Sequence, residues 1–407
     1  MINVAILGYG TIGSGVARVL ETNRDVIAER VGDAVCVKYI LDLRDFPGDE
    51  NEDKIIHDYN IIIEDPEIEV VVECMGGTGA AYAFVKEALL HGRSVATSNK
   101  ELVASNGPEL IAIAKDKNVN FQFEASVGGG IPIIRPLLTS LTGDVVEGIS
   151  GILNGTTNYM LTQMETKGVS FEEALKDAQE RGYAELHPEA DVEGFDACRK
   201  IAILLSLTCG RQVRYEDIYT EGIRNITRED ISYARKMHSR IKLLASGWRE
   251  GERFYAIVSP LMISQDHPLA GVNDVFNAIC VRGNMVEDTM FYGKGAGSLP
   301  TASAVVGDVI DCIRRKGNHF DIIWEAEKQT IDSCLEFERR FFVRMSGDTD
   351  DALIREAFGE VTFIENEEIG DKAFITGVMK EKDYERAADQ VGGVISRIRV
   401  DQDVYSW

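Results

Sequence analysis

A chain of 407 residues with 43 Lys and Arg against 67 Asp and Glu carries a net charge of −24 at pH 7, which excludes association driven by attraction to nucleic acid or to an anionic membrane. Its 44% hydrophobic and 27% charged residues are those of a soluble globular protein, with length for two or three domains. Seven cysteines scattered singly, with no CxxC pair, exclude a disulfide framework and predict reduced core thiols in a cytoplasmic protein.

Met1 leads straight into an apolar run, with no basic leader, and no window has the length of a membrane span. The first 140 residues alternate strand and helix patterns. "INVAILG" (2–8) reads as a strand, followed by a helix through Val16, Ala17, Val19 and Leu20. Further buried strands are expected at 34–43, 68–77, 94–99 and 119–126, with helices at 80–92 and 107–118 between them. Near-continuous Val/Ile strands separated by helices predict a doubly wound parallel sheet covered on both faces. From about 145 the pattern changes to α+β, with helices at 171–182, 194–209 and 229–247 and strands at 254–263 and 275–292. A helix at 300–317 and a polar, helically spaced stretch at 318–340 follow, and the tail reads strand, helix, strand, strand, helix, strand.

"LGYGTIGSGV" places Gly8, Gly10 and Gly13 directly after the first strand, with Thr11 and Ile12 opening the helix. In a βαβ setting these glycines allow a tight turn, close approach of a pyrophosphate, and close helix–strand packing. The second strand ends in "LDLRDF". Asp42 there suits a ribose hydroxyl and Arg44 suits a 2′-phosphate, so both NAD and NADP remain open.

Three polar stretches carry the candidate chemistry. In "TSNKELV", Asn99 and Lys100 follow a parallel strand, at the edge where open sheets bind ligands; a helix N-cap with a solvated lysine is the plain alternative. "GILNGTTNYML" offers backbone and side-chain donors suited to a carboxylate, although an ordinary Asn-Gly turn explains it equally. In "GYAELHPEADVEGFDACRKIAIL", Asp196 and Lys200 lie one helical turn apart, and Glu185, Glu189, Asp191 and Glu193 crowd the approach. Such a carboxylate cluster can hold and tune a lysine for general acid work.

These blocks, with "ECMGGTGAA", "EASVGGGIPII" and "YGKGAGSLPTASAVVGDV", resemble the homoserine dehydrogenases in order along residues 1–320. The resemblance implies hydride transfer between NAD or NADP and the pair L-aspartate 4-semialdehyde and L-homoserine. It assigns the proton donor to Lys200, supported by Asp196, and a nicotinamide-side lysine to Lys100. Substrate contacts fall on Glu185, Asp191, Asp196, Asn154 and Thr156. The cofactor lies along Gly8, Gly10, Thr11, Ile12, Gly13, Arg44, Gly76, Ser98, Lys100, Gly182 and Gly297. It further implies a homodimer or higher homo-oligomer. His187, where the family more often carries Asp, reads as a surface substitution. The alternatives are a related amino-acid dehydrogenase of the same fold, or a nucleotide-binding sensor without catalysis.

"EASVGGGIP" admits a phosphate cradle, a hinge or a cation site, and no lysine follows it in the P-loop manner. Read as extended backbone, it turns the carbonyls of Val127, Gly129 and Ile131 the same way, toward a hard cation. The resemblance places a monovalent cation, usually Na+, on these three residues and Glu124. The expected division is a Rossmann-type dinucleotide domain at 1–140, completed by about 295–320, a catalytic and dimerisation domain at 141–294, and an ACT-like βαββαβ domain at 338–407. The tail has "SGDTDDALIREAFG" where ACT modules carry D-x-P-G, which argues against effector sensing.

Overall fold

The computed structural model describes residues 1–367 and 369–401. Six strands, β1 (Ile2–Leu7), β2 (Val35–Leu41), β3 (Ile55–Ile56), β4 (Ile68–Glu73), β5 (Ser94–Thr97) and β6 (Phe121–Gln122), form one sheet in the order β3-β2-β1-β4-β5-β6. Every pairing in it is parallel. Alternation along the strands divides the packing. Val4, Ile6, Val70 and Val72 join one core with helix Thr11–Thr22 and the late helix Ser298–Arg314. Ala5, Leu7, Val71 and Val95 face the opposite core, with helices Gly79–Leu90 and Lys100–Asp116. This is a Rossmann-like sheet, and its strand order reverses between β1 and β4, opening a crevice at the carboxyl ends of the strands.

The second sheet is mixed. Strand Val146–Ile152 lies between Phe276–Gly283 and Ser239–Glu250, antiparallel to both. Ser239–Glu250 pairs antiparallel with Arg253–Ser264 along its length, and the hairpin strand Glu287–Lys294 forms the far edge. Helix Phe195–Cys209 packs so closely on this sheet that a Cβ on Gly247 would lie 2.4 Å from Leu205. Beyond Arg253–Ser264 the sheet continues through Val394–Asp401, Glu338–Met345, Lys372–Thr376 and Val361–Ile364. The junction is a parallel ladder, Leu261 to Arg399 through Ile263 to Asp401. Buried charge reinforces it. Arg399 pairs with Glu221 at 2.7 Å and also with Glu381, and Arg344 bonds Asp230 at 3.1 Å. With helices Asp351–Phe358 and Glu381–Val391, the tail runs βαββαβ. Residues 402–407 of the expected tail domain lie outside the described residues. Among the described residues no helix is long and apolar enough to cross a membrane.

Several local expectations are corrected. The helix expected from 107 starts at Lys100, capped by the Asn99 side chain, and carries Pro108 in its interior. Proline cannot donate to the carbonyl four residues back; the Gln212 side-chain amide donates to Ala104 O instead, at 3.0 Å. The helix expected over 229–247 ends at Lys236, and the chain turns at His238 (φ +50°) into strand Ser239–Glu250. Tertiary burial on the sheet overrides helical spacing there. The single strand at 275–292 is a hairpin, with the Asp144 carboxylate accepting from the Met285 and Val286 amides in its turn. Residues 318–340 form no α-helix; Trp324 anchors that stretch, packing on Gly107 and donating to Gln212 Oε1 at 3.0 Å. The glycine-rich stretch is not extended either. Glu124–Ser126 is a 3-10 turn, and Gly128 and Gly129 have φ of +74° and +57°.

Candidate active site

The glycine turn after β1 has the shape its sequence requires. Gly8 is left-handed at φ +91°, and a Cβ on Gly13 would lie 1.9 Å from Gly8 O. A Cβ on Gly10 meets nothing within 4 Å, so the helix N-terminus Thr11–Thr22 is open to a ligand. Its first-turn amides lack intrahelical partners and favour a pyrophosphate. Ser298, next to Gly297 (φ +115°), donates to Thr11 O at 2.6 Å. Gly297 thus sits at the mouth of the same turn. At the end of β2, the Asp42 carboxylate accepts from Tyr9 N at 2.8 Å and from Arg44 Nε and Nη2 at 2.9 and 3.0 Å. The Arg44 guanidinium beside it holds that carboxyl well below the usual range. Arg44 remains largely exposed and lies over the Phe46 ring.

Across the crevice, helix Phe195–Cys209 starts from Gly194 in the left-handed region (φ +84°) and puts Asp196 in its first turn. Lys200 follows one turn later on the same face. Its Nζ donates to Asp196 Oδ2 at 2.6 Å and to Leu153 O, just past strand Val146–Ile152, at 2.8 Å. Lys100 Nζ reaches Asp196 Oδ1 at 2.7 Å from the other side. Asn154, the N-cap of helix Gly155–Lys167, donates from Nδ2 to Asp191 Oδ1 at 2.7 Å and to Asp196 Oδ2 at 2.9 Å. One buried carboxylate thereby joins two lysines contributed by two different layers.

The electrostatics follow from burial and partners. Burial alone would raise the Asp196 carboxyl, but the charges of Lys200 and Lys100 outweigh it and hold the group well below its ordinary value. Reciprocally, the Asp196 charge raises the Lys100 ammonium against its own burial. Asp191 is pushed up, first by burial and then by the neighbouring Asp196 charge.

The structure brings Lys100, Asn154, Asp191, Asp196 and Lys200 into one hydrogen-bonded cluster. Glu185 stands apart from it with an exposed side chain, its carbonyl accepting from Gln179. Thr156 spends its hydroxyl proton on Tyr183 O at 2.7 Å. Gly182 is exposed in the turn after helix Phe171–Glu180. Gly76 (φ +85°) and Ser98 flank the carboxyl ends of β4 and β5, with Ser98 N donating to Glu73 O at 3.4 Å. Glu124 turns its carboxylate onto the amides of Ile133, Ile134 and Arg135 at 2.6 to 2.8 Å. The Glu124 carbonyl in turn accepts from Val127 N at 3.4 Å. Sequence reasoning passed over Glu73, Thr97 and Asn277. The Asn277 amide is buried beside Gly295 and Gly155, with no hydrogen-bond partner among the described residues.

Comparison with known proteins gives this geometry its family. Residues 8–124 match the homoserine dehydrogenase NAD binding domain, and residues 132–310 match the homoserine dehydrogenase domain. The homoserine dehydrogenase of Bacillus subtilis strain 168 is 41% identical over 313 residues, 76% of this chain and 72% of that protein. That of Synechocystis is 43% identical over 321 residues, covering 77% and 73%. The crystal structure of a homoserine dehydrogenase from Thiobacillus denitrificans superposes with a TM-score of 0.90 at 34% identity, across 99% of both chains. A hyperthermophilic archaeal homoserine dehydrogenase in complex with NADPH gives 0.65 at 26% identity, over 79% of this chain and 99% of that one. Two family domains that between them take in both the glycine turn and the paired lysines, with relatives above 40% identity across three quarters of the sequence, place the chain in the homoserine dehydrogenase family.

Proposed function

We propose that Lys200 is the proton donor of this NAD(P)-dependent oxidoreductase in the interconversion of L-aspartate 4-semialdehyde and L-homoserine. The observation that carries the reading is the double clamp on Asp196. Two of the three N–H bonds of Lys200 are committed to Asp196 and Leu153 O, and the third is left for a substrate oxygen. When bound, the reduced nicotinamide supplies hydride to the aldehyde carbon. As the carbonyl π pair moves onto oxygen, Lys200 donates its proton there, and its positive charge stabilises the developing oxyanion beforehand. Asp196 aims the ammonium, and Lys100 faces the nicotinamide side of the crevice. Glu185, on the exposed loop outside the cluster, is assigned to the substrate α-ammonium, and Asp191 supplies an acid within the cluster. The open amides at the start of helix Gly155–Lys167, next to Asn154 and Thr156, receive the substrate carboxylate. On the cofactor side Gly8, Gly10, Thr11, Ile12 and Gly13 take the pyrophosphate, and Gly76, Ser98, Gly182 and Gly297 line its path.

The test is homoserine-dependent reduction of NAD and NADP by the full chain; inactivity with both overturns the assignment. Arg44 already neutralises Asp42 and keeps its guanidinium exposed, which supports acceptance of the 2′-phosphate. Arg44→Ala is expected to lower kcat/KM with NADP by about tenfold or more, the worth of a charge-assisted pair, and to leave NAD nearly unchanged. Equal loss with both cofactors would refute that role.

Among the described residues, the buried carbonyls of Val127, Gly129 and Ile131 accept no backbone hydrogen bond, whereas that of Gly128 accepts from Ile131. Buried carbonyls without donors fit a hard monovalent cation, Na+ among them, so the bent glycine stretch supports the site although the extended alternation does not. A Tm that falls by several degrees when Na+ and K+ are replaced by tetramethylammonium is the expected result; an unchanged Tm counts against the site.

The same reading divides the chain at 1–140 with 295–320, 141–294 and 338–407. The tail's βαββαβ order supports an ACT-like unit, and its loop 346–350, without the Pro-Gly pair, supports a packing role over effector sensing. Exposed Met285, Met290 and Tyr292 along the edge hairpin support a second copy of the chain as partner, and seven free cysteines support a reducing, cytoplasmic setting.

A further inference from the structure

We propose that Glu73, at the carboxyl end of β4, is a positioning residue that locks the loops bearing the nicotinamide-side lysine. Its side chain is fully buried, and among the described residues no Lys, Arg or His pairs with it. Three donors converge on its carboxyl group instead. The amides of Met75 and Gly76 reach Oε1 at 2.8 and 3.3 Å, and the Thr97 hydroxyl reaches Oε2 at 2.5 Å. Because Thr97 spends its only proton on Glu73, its oxygen is left to accept from Asn99 N, at 3.0 Å. Asn99 closes the ring, donating from Nδ2 to Gly77 O at 2.7 Å and accepting at Oδ1 from Leu102 N at 3.1 Å as the cap of the Lys100 helix. The loop so held also packs on the first glycine turn, since a Cβ on Gly8 would lie 3.0 Å from Met75 Cγ.

The Glu73 carboxyl group therefore sets the direction of the hydrogen bonds that tie the Met75 and Gly76 amides, through Thr97, to the turn into Lys100. The inference rests on the assignment of Lys100 to the nicotinamide side. A carboxylate is required because all three neighbours donate; a glutamine would turn an N–H2 toward at least one of them. The loops would then part by a fraction of an ångström and Lys100 would leave its line to Asp196.

Glu73→Gln is expected to lower kcat and to raise the dinucleotide KM by about tenfold each, with the homoserine KM held within about twofold. Thr97→Val, which removes the bridging hydroxyl, is expected to give the same split. Thr97→Ser, which keeps it, restores wild-type constants, and the Glu73→Gln/Thr97→Val double variant is no worse than either single. If Glu73→Gln does not fold, the Thr97→Val and Thr97→Ser pair carries the same comparison. A lower Tm with kcat and both KM values within about twofold of wild type overturns the proposal, as does a double variant whose losses multiply. NADPH fluorescence titration gives Kd without turnover. A wild type that binds NADPH but fails to oxidise homoserine sinks the reaction assignment, and the positioning role is then decided by Kd. Weakening of about tenfold in Glu73→Gln and Thr97→Val, absent in Thr97→Ser, upholds it, and equal Kd values overturn it.

Discussion

Lys200→Ala is expected to lower kcat for homoserine oxidation by about a thousandfold, the combined scale of a lost general acid–base group and a lost charge on the reacting oxygen. Dinucleotide affinity is expected to stay close to wild type, because Lys200 lies across the crevice from the glycine turn and its ammonium bonds Asp196 and Leu153 O. The loss falls on kcat and not on KM, since the interaction removed strengthens as negative charge develops on oxygen. Lys200→Arg is no substitute. The planar guanidinium cannot aim one N–H at Leu153 O, another at Asp196 and a third at substrate from the space an ammonium occupies, and it does not release its proton. Steady-state kinetics with either cofactor measure the effect. A variant retaining a tenth of wild-type kcat would remove Lys200 from the chemistry.

Asp196→Asn is expected to produce the second large effect, and on two quantities at once. The side chain is buried between Lys100 and Lys200, so neutralising it leaves two ammonium groups facing each other without their shared counter-charge. Breaking a buried ion pair in this way costs about 3 kcal/mol or more, read as a fall in Tm, and kcat drops by about a hundredfold as Lys200 loses its orientation. The pH dependence has a definite sign. Burial opposes ionisation of Asp196, but Lys200 and Lys100 overcome it and depress its pKa. A depressed carboxyl contributes stability that is fully present above the unfolded value of about 4 and is lost only as pH falls below it. The stability gap between wild type and Asp196→Asn is therefore flat from pH 8 to about pH 5 and narrows under more acid conditions. Thermal unfolding across that range measures it; a gap that widened on acidification would contradict the assignment.

The parts of this site written into the sequence are those that depend on local spacing. Gly8, Gly10 and Gly13 reveal themselves because a turn and a helix N-terminus need them within six residues, and Asp196 and Lys200 because four residues is one helical turn. What the sequence did not disclose is fixed by contacts distant in the chain. Lys100 meets Asp196 only once two layers are stacked, and Glu73 meets Thr97 only through the parallel pairing of β4 with β5. A buried glutamate at a strand end carries no local signature of its role. Pro108 misplaced the start of its helix because the donor that excuses it, Gln212, comes from a remote segment. Strand Ser239–Glu250 read as helix for the same reason, its partners on both sides deciding what its own residues leave open.

The parallel ladder from Leu261 to Ile263 with Arg399 to Asp401 has a mechanical consequence. A unit hung on a flexible linker can rock as a lid, but one that shares a hydrogen-bonded sheet with its neighbour transmits torque. To swing away, the tail would have to shear that ladder, strip Arg397 and Arg399 from Glu221 and Arg344 from Asp230, and uncover the Leu261–Ile263 edge of strand Arg253–Ser264. The tail is thereby expected to move as one body with the mixed sheet that backs Asp196 and Lys200.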